Sequence, residues 1–175
     1  MPLTLRGTPV LYAGEELGLL DAEVPPARQL DPGGRDGSRA PLPWDSTPAH
    51  GWPASPWLPW PPEPGLRNVE TQEADPDSIL FLYRRLLRLR RHSEALQLGS
   101  WHRLESPQGT LAYERRFRDD VRRVAANFTD RAIEHVIVDA SWSVEASTHA
   151  RSESGWDGRL APSEAVILAT DHLVP

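Results

Sequence analysis

The chain of 175 residues has no cysteine, which removes disulfides and thiolate metal ligation from the account. Its six histidines are scattered with no pair at ligand spacing, so neither a metal site nor a cofactor is expected. No apolar run approaches the length of about 18 residues that a membrane span needs, and no membrane partner is expected. The N-terminus lacks the charged start and apolar stretch of a signal peptide, which leaves the cytoplasm as the simplest location. Acidic residues outnumber basic ones 25 to 19, and the arginines gather on one helical stretch without a basic tail, which argues against nucleic acid as a partner. A matched acid-base pair is also missing. Glu15 and Glu16 are the tempting candidates, but neighbours on an extended chain point to opposite sides and cannot flank one bond. Neither is assigned a catalytic role. Asn127-Phe128-Thr129 fits the glycosylation pattern, yet nothing else points to secretion and modification is not expected.

Proline is abundant and uneven: 15 of the 18 fall before Ile79. The chain changes character after that point, and the boundary is set near Gly99, giving residues 1–98 and 99–175. Pro9 to Ala13 is a short apolar run between Gly7 and Gly14, as expected of a strand covered on both faces. Such a strand needs neighbours, and residues 1–6 are too few to make one with its crossover. From Leu17 to Ala74 no period is sustained, and Pro25-Pro26, Pro32-Gly33-Gly34, Pro61-Pro62 and Pro64-Gly65 stop helix and central strand alike. Trp44, Trp52, Trp57 and Trp60 decide for an ordered loop, because disordered segments are poor in aromatics.

Asp75-Pro76-Asp77-Ser78 reads as a helix start with Asp75 as the cap. Ile79, Leu82, Tyr83, Leu86, Leu87 and Arg90 then recur at three and four, and the helix should end near His92. Strands are expected over 101–104, 110–117, 121–128, 133–139, 142–146 and 164–169, a spacing that suits an antiparallel sandwich. Trp101, Trp142 and Trp156 read as packing rather than as a starch-binding platform, and Tyr113 and Phe128 as core.

Within the proline-rich stretch, Arg35-Asp36-Gly37-Ser38-Arg39-Ala40-Pro41-Leu42-Pro43-Trp44-Asp45 places two guanidinium forks in a stiffened loop. A guanidinium stays charged and offers five donors in one plane, which suits a carboxylate or adjacent hydroxyls of a polyhydroxylated ligand. This segment, the Gly7-to-Gly18 stretch, and Asn68-Val69-Glu70 with Asp75-Pro76-Asp77-Ser78-Ile79 resemble the C-terminal third of α-glucosidases of glycoside hydrolase family 13, the oligo-1,6-glucosidase branch above all. Arg35, Asp36, Arg39, Pro41 and Trp44 fill the family pattern Arg-Asp-x-x-Arg-x-Pro-x-x-Trp. Leu111-Ala112-Tyr113-Glu114-Arg115, Asn127-Phe128 and Trp156-Asp157-Gly158 add support further on.

The resemblance implies an α+β fragment: the last β/α unit of a (β/α)8 TIM barrel, with strand eight, a long ordered lid loop and helix eight, followed by a C-terminal antiparallel β-sandwich. It implies that Arg35 reaches the terminal glucose of an α-glucoside oligosaccharide, that Asp36 and Arg39 brace the lid beside it, and that Trp44 stacks on a sugar or packs the loop. The family's nucleophile, acid/base and third carboxylate precede the point where this chain begins, so the chain alone is expected to be inactive. Two other readings remain open. One is a stand-alone carbohydrate-binding or interaction module; the other is a fragment whose partner is the missing N-terminal barrel portion.

Overall fold

A computed structural model describes residues 2–138, 141–151 and 155–170. The β-rich half is built on a hairpin. Strands β2 (Thr110–Phe117) and β3 (Asp120–Asn127) pair antiparallel from Phe117↔Asp120 to Thr110↔Asn127. Their two-residue loop puts Arg118 at φ 53, the left-handed region such tight loops demand. β1 (Ser100–Leu104) adds to β2, while β5 (Ala165–Thr170) and then β4 (Trp142–Ser147) add beyond β3. The order is β1-β2-β3-β5-β4 and every pairing is antiparallel.

Alternation sorts the side chains onto two covered faces. On one, Ala112, Ala125, Trp142, Val166 and Leu168 pack beneath Val136, Ile137 and Leu160. On the other, Tyr113, Val124, Ala146 and Ile167 pack against Leu86 and Leu89 of the long helix. Each large aliphatic side chain so buried contributes about 1.5–3 kcal/mol relative to exposure.

Five of the six expected strands form, and the sixth does not. Ile133 makes only an isolated bridge to Leu160, and His135 and Ile137 sit at φ 59 and 52, which no strand tolerates. Residue 139, the last of that expected strand, lies outside the described residues. The described residues therefore form one sheet with an irregular cover, not the two packed sheets of a sandwich. Phe128 is a further correction: it follows the last paired residue of β3 and stands exposed, although it shares the parity of buried Val124.

Helices α1 (Val69–Glu73), α2 (Ile79–His92) and α3 (Glu94–Leu98) precede the sheet. α2 starts three residues after the expected first turn, because Ser78 and not Asp75 serves it: the Ser78 hydroxyl accepts from Phe81 N at 3.3 Å and donates to Gln72 O at 2.8 Å. Asp75 caps only the preceding turn, accepting from Asp77 N. Leu80 is buried in place of Ile79, and Leu87 stays exposed. α3 is capped by Ser93 and abuts the sheet so closely that a Cβ on Gly99 would lie 2.4 Å from Ala95 O and 2.9 Å from Arg116 O.

Two compact units emerge, residues 1–10 with 85–175 and residues 11–84. In the first, two buried arginines grip the N-terminal segment. Arg90 donates to the carbonyls of Leu3, Leu5 and Gly7, and fully buried Arg115 to those of Thr4, Gly99 and Ser100. Thr4 Oγ1 also bonds the Tyr113 hydroxyl at 2.6 Å.

The strand expected over 9–13 is absent. No described strand pairs with these residues and Val10 is 84% exposed, because a strand exists only through its neighbours; the Tyr12 carbonyl accepts instead from Glu15 N in a turn. No described helix is long and apolar enough to cross a membrane.

Candidate functional site

In the second unit the proline-rich loop is ordered by side chains rather than by regular structure. A turn at Asp31 returns Gly34 N to Asp31 O at 3.0 Å, and Gly34 adopts φ 70 to close it. The turn brings Arg35 back over the Asp31 carboxylate. Nε donates to Oδ2 at 2.9 Å and Nη2 to Oδ1 at 2.7 Å, a two-point clamp, and Arg35 N donates to Oδ2 as well. The Arg35 side chain remains 66% exposed, and its Nη1 edge engages no described residue. The Arg35 contact is the main reason that Asp31 ionises well below the usual carboxylate range, and the same pairing raises the Arg35 guanidinium.

Asp36 faces inward. It is 2% exposed, and Oδ2 accepts from Leu30 N at 2.7 Å and Asp31 N at 3.0 Å. Gly37 then starts a short 3-10 turn through Arg39, and its backbone passes so near the chain at Ala22 that a Cβ would lie 2.6 Å from Ala22 O. Arg39 Nη1 lies 3.4 Å from Asp31 Oδ1 and 3.9 Å from Asp36 Oδ1. Asp31 is thus shared by both arginines. The sequence reading missed it, although Asp31-Pro32-Gly33-Gly34-Arg35 spells a turn with opposite charges four residues apart.

Trp44 is held by other bonds. Its N donates to His50 O at 3.0 Å and its O accepts from Glu70 N at 2.9 Å, while Trp52 Nε1 donates to Leu42 O. The indole of Trp44 is left half exposed at 52%. Trp60 packs edge-on against His50 and Trp52, with centroids 4.6 and 6.0 Å apart. These contacts stiffen the loop between the prolines.

Glu15 and Glu16 form a 3-10 turn in which Glu16 Oε2 accepts from Gly14 N at 2.9 Å. Tyr83 is pushed up by burial and by these two carboxylates. The other sequence features fall elsewhere. Trp142 is core, and Trp156 packs against the sheet while donating to the carbonyls of Val136 and Ile137. Trp101 packs against Tyr113 but keeps 38% of its surface exposed. Asn127 is buried, with its amide donating to Arg131 O and Ala161 O, so the glycosylation triplet is closed.

Residues 1–99 match the model of the α-amylase catalytic domain. A probable α-glucosidase of Rhizobium meliloti is 36% identical over 140 residues, covering 74% of this chain and 25% of that protein. An oligo-1,6-glucosidase of Halalkalibacterium halodurans is 28% identical over 197 residues, covering 93% and 35%. The isomaltulose synthase of a Klebsiella species superposes with a TM-score of 0.82 at 26% identity, covering 96% of this chain and 36% of the other. The chain thus spans about a quarter to a third of the length of the curated relatives it matches.

Proposed function

The chain belongs to the α-amylase family, glycoside hydrolase family 13, and on that premise we propose that it is the C-terminal part of an α-glucosidase-like enzyme. The complete form cleaves terminal α-glucosidic bonds of short oligosaccharides with retention. In this reading residues 1–98 are the closing β/α unit of the barrel and residues 99–175 its C-terminal β domain. The unpaired segment 8–13 becomes the eighth strand once the preceding strands are supplied, which makes the missing N-terminal barrel portion its partner.

The observation that carries the reading is the Asp31–Arg35 clamp in the segment that fits the family pattern. A guanidinium fixed at two points by a buried carboxylate keeps its outer edge for ligand, and adjacent sugar hydroxyls match that edge. Arg39 and Asp36 hold the loop, and Trp44 offers an apolar face at its rim. All four are positioning groups.

Chemistry has to come from elsewhere. Retention requires a nucleophile and a general acid about 5 Å apart. Asp31 is the wrong acid, because its arginine contacts keep it ionised, whereas a general acid must hold its proton near neutrality. Asp36 is buried against backbone N–H groups, and Glu16 is tied to Gly14.

A retaining enzyme is trapped as a covalent adduct by an activated fluoro-glucoside whose glycosyl-enzyme turns over slowly. Intact-mass spectrometry of the chain after such treatment should show the unmodified mass. An adduct on any of its carboxylates would refute the assignment of a non-catalytic part.

A further inference from the structure

Gly7 and Gly14 turn the chain at φ 107 and 101, and between them Val10, Leu11 and Tyr12 are 84%, 36% and 52% exposed. Neither Val10 nor Leu11 makes a hydrogen bond among the described residues, and Tyr12 lends only its carbonyl, to Glu15 N. The stretch therefore offers backbone donors and acceptors to a further strand. Thr8 to Ala13 carries no charge, so nothing within it opposes a second copy of itself.

The flanks decide how a second copy lies. Arg6 stands five residues before Leu11, and Glu16 five residues after it. Parallel pairing in register would set Arg6 on Arg6 and Glu16 on Glu16, like charge on like. Antiparallel pairing about Leu11 sets each Arg6 opposite the Glu16 of the other copy, just beyond the two glycines. Two-fold symmetry requires some residue to face its own equivalent, because an axis normal to the ribbon keeps every side chain on its own face. Centring on Val10 or Tyr12 instead would put Arg6 opposite Gly14 or Gly18 and lose the ion pairs.

The backbone fits the same register. Val10 then faces Tyr12, a β-branched residue against an aromatic one, and Pro9 faces Ala13. Antiparallel pairs alternate between exchanging hydrogen bonds and not, and Pro9 has no N–H to give. With Pro9 and Leu11 at the positions that do not exchange bonds, Val10 and Tyr12 carry the ladder. Val10 is free to do so, and the Tyr12 carbonyl keeps a second lone pair beside Glu15 N.

We propose that residues 8–13 pair with their equivalents in a second copy, antiparallel about Leu11, so that the chain by itself is a two-fold dimer. The pairing uses one continuous stretch of chain and no part of the α-glucosidase reading. Strands supplied by a barrel portion would take the same edges.

The chain has no cysteine, so single introduced thiols report the register without background. Leu11→Cys sits on the axis and should cross-link to itself under mild oxidation, because facing Cα atoms of such pairs lie about 4.5 Å apart. Val10→Cys and Tyr12→Cys lie more than about 7 Å from their own equivalents and should link at least about tenfold more slowly, yet link to each other when mixed. In sedimentation the average mass should rise from one chain towards two over about 10–500 µM, since a two-stranded ribbon is marginal alone. Arg6→Glu should weaken this association about fivefold. Cross-linking equal at the three positions, or an association that Leu11→Lys leaves unchanged, would overturn the proposal. A single-chain mass throughout would also overturn it while leaving the α-glucosidase reading intact.

Discussion

Asp31 shows what one carboxylate does in a loop without regular structure: it fixes two guanidinium groups and accepts a backbone N–H. The arginines were legible in the sequence because their residue type and spacing announce fork chemistry. Their partner was not, since a dozen nearby acids are equal candidates until the Pro32-Gly33-Gly34 turn chooses one. Glu164 is a parallel case in the sheet unit, and nothing in its neighbourhood of sequence marks it. It is 2% exposed, and its oxygens accept from Arg151 Nε and Nη2, Ser147 Oγ and Ala161 N at 2.7–2.9 Å. Burial alone would raise this carboxyl, but the Arg151 guanidinium, with the Ala161 N–H and the Ser147 hydroxyl, outweighs it and holds the group below its ordinary 4.5. A depressed folded-state value gives stability that is present above 4.5 and lost as the pH falls through the folded-state value. Glu164→Gln should therefore cost about 2–3 kcal/mol near neutrality. Urea unfolding of both proteins checks this, and the gap between them should narrow as the pH falls below the ordinary 4.5. A gap that stays constant through the acid range would show that the carboxylate charge is not what matters.

At the scale of elements, the strands were legible wherever two covered faces enforce alternation, and β2 falls on its expected residues. Residues 133–138 have the same β-branched composition but cover the sheet as an irregular segment. Propensity favours a strand there, and the vacancy over Ala112, Ala125 and Leu168 is filled instead by Val136 and Ile137. Residues 9–13 failed for the opposite reason, since no described strand lies alongside them. The grip on residues 3–7 could not be read from periodicity at all, because Arg90 looked like a member of an apolar stripe. All 19 cationic residues of this chain are arginines, and the five donors of a guanidinium fork let Arg90 and Arg115 each bond three separate carbonyls. Arg115→Leu strands the carbonyls of Thr4, Gly99 and Ser100 and should destabilise the sheet unit by about 3 kcal/mol. It should also release the N-terminal segment, so that trypsin removes residues 1–6 faster than from the parent, as followed by mass spectrometry. Equal cleavage rates and equal stability would mean that the segment is held by something other than this arginine.

The whole molecule pairs a sheet unit held by buried ion pairs with a loop unit held by turns, prolines and one shared carboxylate. Its family match runs over residues 1–99, while the curated relatives extend well beyond the length of this chain. The family was legible in the sequence from the arginine loop and the stretches around it. We propose that the chain positions an α-glucoside and does no chemistry upon it. The most direct measurement is the release of nitrophenol from nitrophenyl α-glucoside, and of glucose from maltose, followed through successive purification steps. Specific activity should fall to the buffer blank as purity rises. Activity that rises with purity and stays with the chain would contradict it.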